Sequence, residues 1–498
     1  MLDHVFWPGV VSIFTLYGLV FLVGVWASRR APPAATGDAA LEELMLAGRS
    51  LPLWVALLTM TATWVGGGYI NGTAETTFST GLTWGGQAGL GYAVSLLFGG
   101  LFFARRMRAA GHATLIDPLE QRYGAPLAAV LMVPAVLAEL FWSAAILVAL
   151  GSTFGTVIGL DLASSIVLSA GVAIAYTVFG GLRAVAWTDV VQLFLILAGL
   201  ALAIPFVVDA GGGWGTVASA VPQIGFGTWQ EGVSWSDWTL LLMLGGIPWN
   251  VYFQRVLSSE SPEAASKTSM LAGLLCATMA IPPMIIGVAA AHIDWSTLDT
   301  GGIDAAAELA ASPTLVLPYV LRYAVPTWVG VLGLGAVSAA VMSSVDSSIL
   351  SAASLVAWNG YRRLVNPAAS ADQVSRLVRA LVVFLGVAAT VIALTYGSVS
   401  ALWYLCGDIV YCVLFPQLTL ALFDPKANRI GAVSGLAVSV VLRVLGGDGT
   451  LGLPNLLFPD WTDAGGEFPF RTMSMLIGLG VALVVARATQ ALDPAKPL

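Results

Sequence analysis

Three consecutive glycines, Gly66-Gly67-Gly68, interrupt an apolar run from Leu53 to Phe78 that is long enough to cross a bilayer. Each glycine costs about 1 kcal/mol relative to alanine in a helix, so the run is expected to break there. In hydrocarbon an unwound backbone survives only where protein buries it or where it lines a cavity. The carbonyls freed at such a break are hard oxygen ligands, suited to Na+. Trp64 lies beside the break, and a second break of similar design, Gly245-Gly246-Ile247-Pro248-Trp249, also carries a tryptophan. Paired Gly/Pro-interrupted membrane segments point to the binding site of a secondary transporter. Carboxylates also fall inside apolar runs: Glu139, Asp189, Asp346 and Asp408. A lone carboxylate in hydrocarbon costs about 3 kcal/mol or more, so each needs a partner. No nucleophile–base pair or metal-ligating cluster is spaced for catalysis; His4 is terminal, and His112 and His292 fall in loops. The chain does not read as an enzyme.

The elements that must hold these residues are membrane helices. Of the 498 residues, 58% are hydrophobic and only 10% charged, whereas soluble domains carry about 25% charged residues. The net charge of -7 is spread over loops and forms no nucleic-acid patch. Apolar runs fall at about 5–28, 52–78, 84–104, 127–157, 163–181, 188–208, 237–257, 268–291, 326–358, 377–396, 399–423, 430–446 and 470–488. They predict an all-α polytopic membrane protein of thirteen transmembrane helices. With the N-terminus outside, 18 of the 21 Lys and Arg residues lie on the cytoplasmic side; Arg322, Arg443 and Arg471 do not. The C-terminus is then cytoplasmic. Cys406 and Cys412 are separated by roughly 9 Å of helical rise, too far for a disulfide.

The breaks fall in the second and seventh runs, five spans apart, so two five-helix units run in opposite directions, an inverted repeat. A single transmembrane domain then fills 1–498. It has an extra helix at 5–28, a first repeat at 52–208, a second at 237–423 and two further helices within 430–488.

Longer strings add a resemblance. Thr59 to Glu75 (TMTATWVGGGYINGTAE), Leu244 to Trp249 with Tyr252 to Ser259, and Gly333 to Ser344 with Asp346 to Ala352 resemble the sodium/solute symporter family and, within it, the high-affinity choline transporters. Leu402 to Leu405 and Phe415 to Gln417 add to it, and the similarity covers nearly all of the chain. It implies a LeuT-type 5+5 inverted repeat with broken helices 2 and 7. It also implies sodium-coupled choline import by alternating access and, with no site that can be named, chloride dependence. One departure is the short C-terminus, since animal choline transporters carry a long cytoplasmic tail. The expected setting is a bacterial inner (plasma) membrane.

A quaternary ammonium has no N–H to donate and is best held by aromatic faces, each contributing about 0.5–2 kcal/mol. Trp64, Trp142, Trp249 and Trp403 stand on four different runs, and the resemblance implies a Trp-lined choline site at these positions, with Tyr92 as a fifth wall or hydroxyl partner. For sodium it implies the carbonyls of Ala62, Val65 and Ala340 and the hydroxyls of Ser343 and Ser344. Asp189 matches a family aspartate linked to an inner sodium site, and Asp346 with Ser347 is placed to share that ion; capping of a helix by Thr188-Asp189 is the competing reading. Glu139, one turn before Trp142, either lends negative potential to a cation or pairs with a residue such as Arg255. The role of Asp408 stays open.

The alternative cargo is betaine, carnitine or an amino acid. A zwitterion needs a carboxylate-binding Arg or a free half-helix N-terminus near the aromatic residues, and no Arg is expected at mid-membrane. The expected partners are choline, Na+ and the lipid bilayer, with no nucleic acid; a homodimer is left open.

Overall fold

The computed structural model describes residues 5–29, 37–179 and 181–497, without the side chains of 28, 29, 176, 179, 340 and 343. Among the described residues it is all helical, with two isolated β-bridges. The principal helices are α1 (Trp7–Arg29), α2 (Leu53–Trp64), α3 (Gly67–Thr80), α4 (Leu82–Ala109), α5 (Ala125–Ile158), α6 (Leu162–Phe179) and α7 (Leu182–Ala210). They continue with α8 (Trp229–Gly245), α9 (Asn250–Ser258), α10 (Pro262–Ala290), α11 (Thr327–Leu355), α12 (Ala371–Tyr396), α13 (Val399–Phe423), α14 (Arg429–Leu445) and α15 (Phe470–Ala488).

Nine helices among the described residues are long and apolar enough to cross a membrane, or ten with α2 and α3 counted as one span bent by 45°. The runs expected at 237–257 and 430–446 are shorter as helices, α8 and α14 having 17 residues each. A helix of that length rises about 25 Å, short of the roughly 30 Å hydrocarbon core. The run at 237–257 is further divided, because Gly246 caps α8 and Trp249 adopts extended backbone before α9. Large apolar side chains stand exposed on several outer helices, including Phe14, Leu22, Phe194, Phe384 and Val484. Such a coat suits a hydrocarbon surround.

The loops gather at two ends. At one, Arg49 donates to the carbonyls of Gly111 (3.1 Å) and His112 (2.9 Å), and Arg108 to that of Ser259 (2.7 Å). Arg362 pairs there with Asp38 at 2.6 Å and Arg487 with Asp424 at 2.9 Å. At the other end the Phe6 N–H donates to the Val157 carbonyl (2.8 Å) and Thr228 Oγ1 to that of Ala464 (2.7 Å). Glu75, in the C-terminal half of α3, accepts from Thr314 (2.9 Å), Ser398 (3.2 Å) and Ser400 (3.0 Å). Helix α11 runs through the middle and packs against α1, α5, α7 and α12.

Candidate functional site

Both breaks face the interior. At the first, Gly66 is so close to α11 that a Cβ there would stand 1.7 Å from Ser344 Oγ, and one on Gly67 would stand 2.1 Å from Val341. At the second, a Cβ on Gly246 would meet Ser95 Oγ of α4 at 2.4 Å, and one on Gly245 the Gly407 carbonyl of α13 at 2.8 Å. Glycine here permits backbone approach that any side chain would prevent. The approach brings together aromatic residues from distant parts of the chain.

Trp64 ends α2 and Trp249 precedes α9; Tyr92, Trp142 and Trp403 come from α4, α5 and α13. The Trp64 ring centroid lies 4.8 Å from Tyr92 and 6.2 Å from Trp249. Trp142 meets Trp249 at 6.1 Å, and Trp403 meets Tyr92 at 5.6 Å. These separations fall in the range of favourable tilted and edge-to-face ring pairs. The Trp403 indole N–H donates to the Tyr92 hydroxyl, and that of Trp249 donates to the Gly245 carbonyl at 2.7 Å, across the break. All five side chains are buried. A sixth ring, absent from the sequence-based set, is Tyr69, 6.3 Å from Tyr92 and 6.5 Å from Trp403. Its place directly after the glycine triplet was the available signal.

For the ion ligands, the point 1.7 Å from Ser344 Oγ is also 3.8 Å from the Ala62 carbonyl oxygen. The Ala62 carbonyl of α2 and the Ser344 hydroxyl of α11 thus converge at the break. Val65 caps α2, its N–H donating to the Thr61 carbonyl at 2.8 Å. The side chains of Ala340 and Ser343 fall outside the described residues; their backbone lies in α11. Gly66→Ala puts a methyl group into this junction, 2.6 Å from Ser344 Cβ as well as against its Oγ, so a rotation of the serine cannot relieve the overlap. Overpacking of this kind costs about 1–3 kcal/mol. The expected result is about a tenfold loss of apparent Na+ affinity, read from the Na+ dependence of cargo uptake at matched membrane abundance.

The buried carboxylates sort by partner. Asp189 lies inside α7, which begins after Gly181, so Thr188-Asp189 does not cap that helix. Instead Asp189 accepts from Thr59 Oγ1 at 2.5 Å and pairs with Arg255 at 3.4 Å. The same Arg255 nitrogen donates to Ser347 Oγ at 2.7 Å, and Ser347 reaches Asp346 at 3.5 Å. Asp189, Asp346, Ser347 and Arg255 therefore form one buried group. Arg255 is not the partner of Glu139: Glu139 accepts from the backbone N–H of Val251 (3.0 Å), Ser348 Oγ (2.9 Å) and Ser351 Oγ (2.9 Å). It fills the N-terminus of α9 and ties α5, α9 and α11 together. Asp408 pairs with Arg443 and, at 3.4 Å, with Arg471, fastening α13 to α14 and α15.

The chain as a whole is similar to known proteins. The sodium:solute symporter family model matches residues 44–439. High-affinity choline transporter 1 of Caenorhabditis elegans is 45% identical over 488 residues, 96% of this chain and 84% of that protein. The human high affinity choline transporter 1 is 44% identical over 482 residues, 94% of this chain and 83% of that protein. Among solved structures, a Na+-coupled sialic acid symporter in a substrate-bound outward-open state superposes with a TM-score of 0.79 at 21% identity, covering 99% of each chain. A nucleobase-cation-symport-1 family transporter in a closed conformation gives 0.56 at 14% identity, covering 91% of this chain and 95% of that one. The fold is thus that of known cation-coupled carriers, and the extent of the sequence match decides the family: the chain belongs to the sodium:solute symporter family.

Proposed function

We propose that the chain is a sodium-coupled symporter that imports choline by alternating access. The observation that carries this reading is the convergence of Trp64, Tyr92, Trp142, Trp249 and Trp403 where both helix breaks meet. Aromatic faces suit a quaternary ammonium, which offers charge but no N–H donor. The choline transporters among the relatives, 44–45% identical to this chain, favour the same cargo.

The rings now touch one another. A cation sits within about 6 Å of each ring centroid that holds it, so at least one ring must turn aside to admit choline between them. The hydrogen bond between Trp403 and Tyr92 joins α13 to α4 and is one link that such an opening stretches or breaks. Na+ at the carbonyls of Ala62, Val65 and Ala340 and the hydroxyls of Ser343 and Ser344 would tie α2 to α11. It shifts the equilibrium between outward- and inward-facing states only by its differential affinity for them. A second cation is assigned to Asp189, Asp346 and Ser347. The two carboxylates and the Ser347 hydroxyl supply oxygen ligands around the single guanidinium of Arg255.

In this reading α1 to α15 make thirteen spans, with α2–α3 and α8–α9 as the two broken ones, opening two inverted five-span repeats. The basic-rich loop end faces the cytoplasm of a bacterial inner membrane and the N-terminus lies outside. The test is radiolabelled choline uptake into proteoliposomes. Uptake driven by an inward Na+ gradient, abolished when K+ replaces Na+ and not competed by betaine, is the expected result. Replacing external chloride by gluconate in the same assay reads the chloride requirement. Na+-driven uptake of betaine or an amino acid in place of choline overturns the cargo, and Na+-independent flux overturns the coupling.

A further inference from the structure

Helix α3 turns one stripe toward the aromatic cluster: Gly68, Asn71, Gly72 and Glu75, spaced i, i+3, i+4 and i+7. A Cβ on Gly68 would stand 3.4 Å from the Trp142 ring, and one on Gly72 would stand 3.3 Å from the Trp403 ring. Glu75 accepts from Ser398 and Ser400 at the start of α13. Asn71 stands at the edge of this stripe, axially between the position that meets Trp142 and the position that meets Trp403, and one turn beyond Gly67, whose added Cβ would meet Val341 of α11. It is 1% exposed, and neither its Nδ2 nor its Oδ1 has a hydrogen-bond partner. Buried side-chain amides are nearly always paired in folded proteins. Here a whole carboxamide, with two donors and two acceptor positions, is left unused on the helix whose Gly68 and Gly72 meet two rings of the proposed cargo site.

We infer that Asn71 is a specificity-determining residue that reads the hydroxyl end of the cargo, a inference that rests on the choline reading above. The rings recognise the trimethylammonium group and cannot tell one such compound from another. The hydroxyl of choline stands two carbons from the quaternary nitrogen and both donates and accepts. A carboxamide answers both roles, Oδ1 taking the O–H and Nδ2 donating to the oxygen. Asn71 lies about 4.5 Å further along the helix axis than Gly68, on the outer side of the Trp142 contact. The cargo would therefore lie with its ammonium group among the rings at the breaks and its hydroxyl toward α3. Bound cargo supplies the partner that the carboxamide lacks, so a compound without the hydroxyl leaves it buried and unpaired.

The experiment is calorimetric binding to the purified full-length protein in Na+, comparing choline with propyltrimethylammonium, in which a methyl group replaces the hydroxyl. Wild type is expected to prefer choline by about tenfold or more, the worth of one such hydrogen bond. Asn71→Ala is expected to weaken choline by about tenfold while leaving propyltrimethylammonium within about twofold, so that the preference disappears. Retained binding of the analogue shows that the variant is folded. Should Asn71→Ala not be recovered from the membrane, Asn71→Leu, of similar size and without polar atoms, is read in the same way. An unchanged preference in the variant, or equal weakening of both compounds, overturns the inference. Equal wild-type affinity for both overturns it while leaving the choline reading intact; wild type that binds neither overturns both.

Discussion

Trp249→Ala is expected to weaken choline binding by about 100-fold and to reduce Na+-driven uptake to background at micromolar cargo. Three losses combine. One wall of the cation site goes, worth up to about 2 kcal/mol when desolvated. The edge-to-face pairs with Trp64, at 6.2 Å and 76°, and with Trp142, at 6.1 Å and 72°, go with it; each pair is worth about 0.5–1.5 kcal/mol. The hydrogen bond from the indole N–H to the Gly245 carbonyl, which spans the second break, is also lost. Trp249→Phe separates these effects, since it keeps a ring and removes the N–H; an intermediate loss of about tenfold is expected. Trp214→Ala, at a tryptophan 58% exposed, is the control and should transport normally. Uptake that survives Trp249→Ala at wild-type affinity would displace the cargo from the second break while leaving sodium coupling untouched.

Arg255→Met is expected to be the most damaging single change to folding. Arg255 is 0% exposed and Asp189 is 0% exposed, and the guanidinium also holds Ser347 at 2.7 Å. Removing one member of a buried ion pair leaves the other charge uncompensated, at a cost of about 3–5 kcal/mol. Much of a membrane protein's margin would be spent, and the expected outcome is low recovery and a lowered unfolding temperature in detergent. Arg255→Met combined with Asp189→Asn removes both charges and should recover most of the loss, because pairs replaced together cost far less than pairs broken. A double variant no better than the single one would show that the guanidinium acts mainly through Ser347 and Asp346. A single variant as stable as wild type would show that the pair contributes nothing to folding.

The parts of this molecule that were legible in the sequence are those set by local chemistry. A glycine triplet and a Gly-Gly-Ile-Pro string break helices wherever they occur, and tryptophan beside each break was visible without any knowledge of packing. Long apolar runs likewise marked the long helices, although α8 and α14 emerged as 17-residue helices because apolar composition does not report where a chain unwinds. Partnership was less legible. Asp189 and Arg255 are 66 positions apart, and Glu139 finds Ser348 and Ser351 more than 200 positions away. Helical spacing relates residues on one element and says nothing about which faces of two distant elements meet. Tyr69 was passed over for a related reason, since its ring joins the cluster only when α3 is turned against α4 and α13.

The carboxyl group of Glu139 occupies the N–H of Val251, at the start of α9. Carriers of this general build can greet an anionic cargo group with the open end of a broken helix. Here that berth is already taken by a side chain of the protein itself, held on its other sides by two serines of α11. A carboxylate docking at this helix end would have to displace Glu139, whereas choline brings nothing that competes for the place. In the choline reading proposed above, this prior occupancy at the second break would count against a zwitterion.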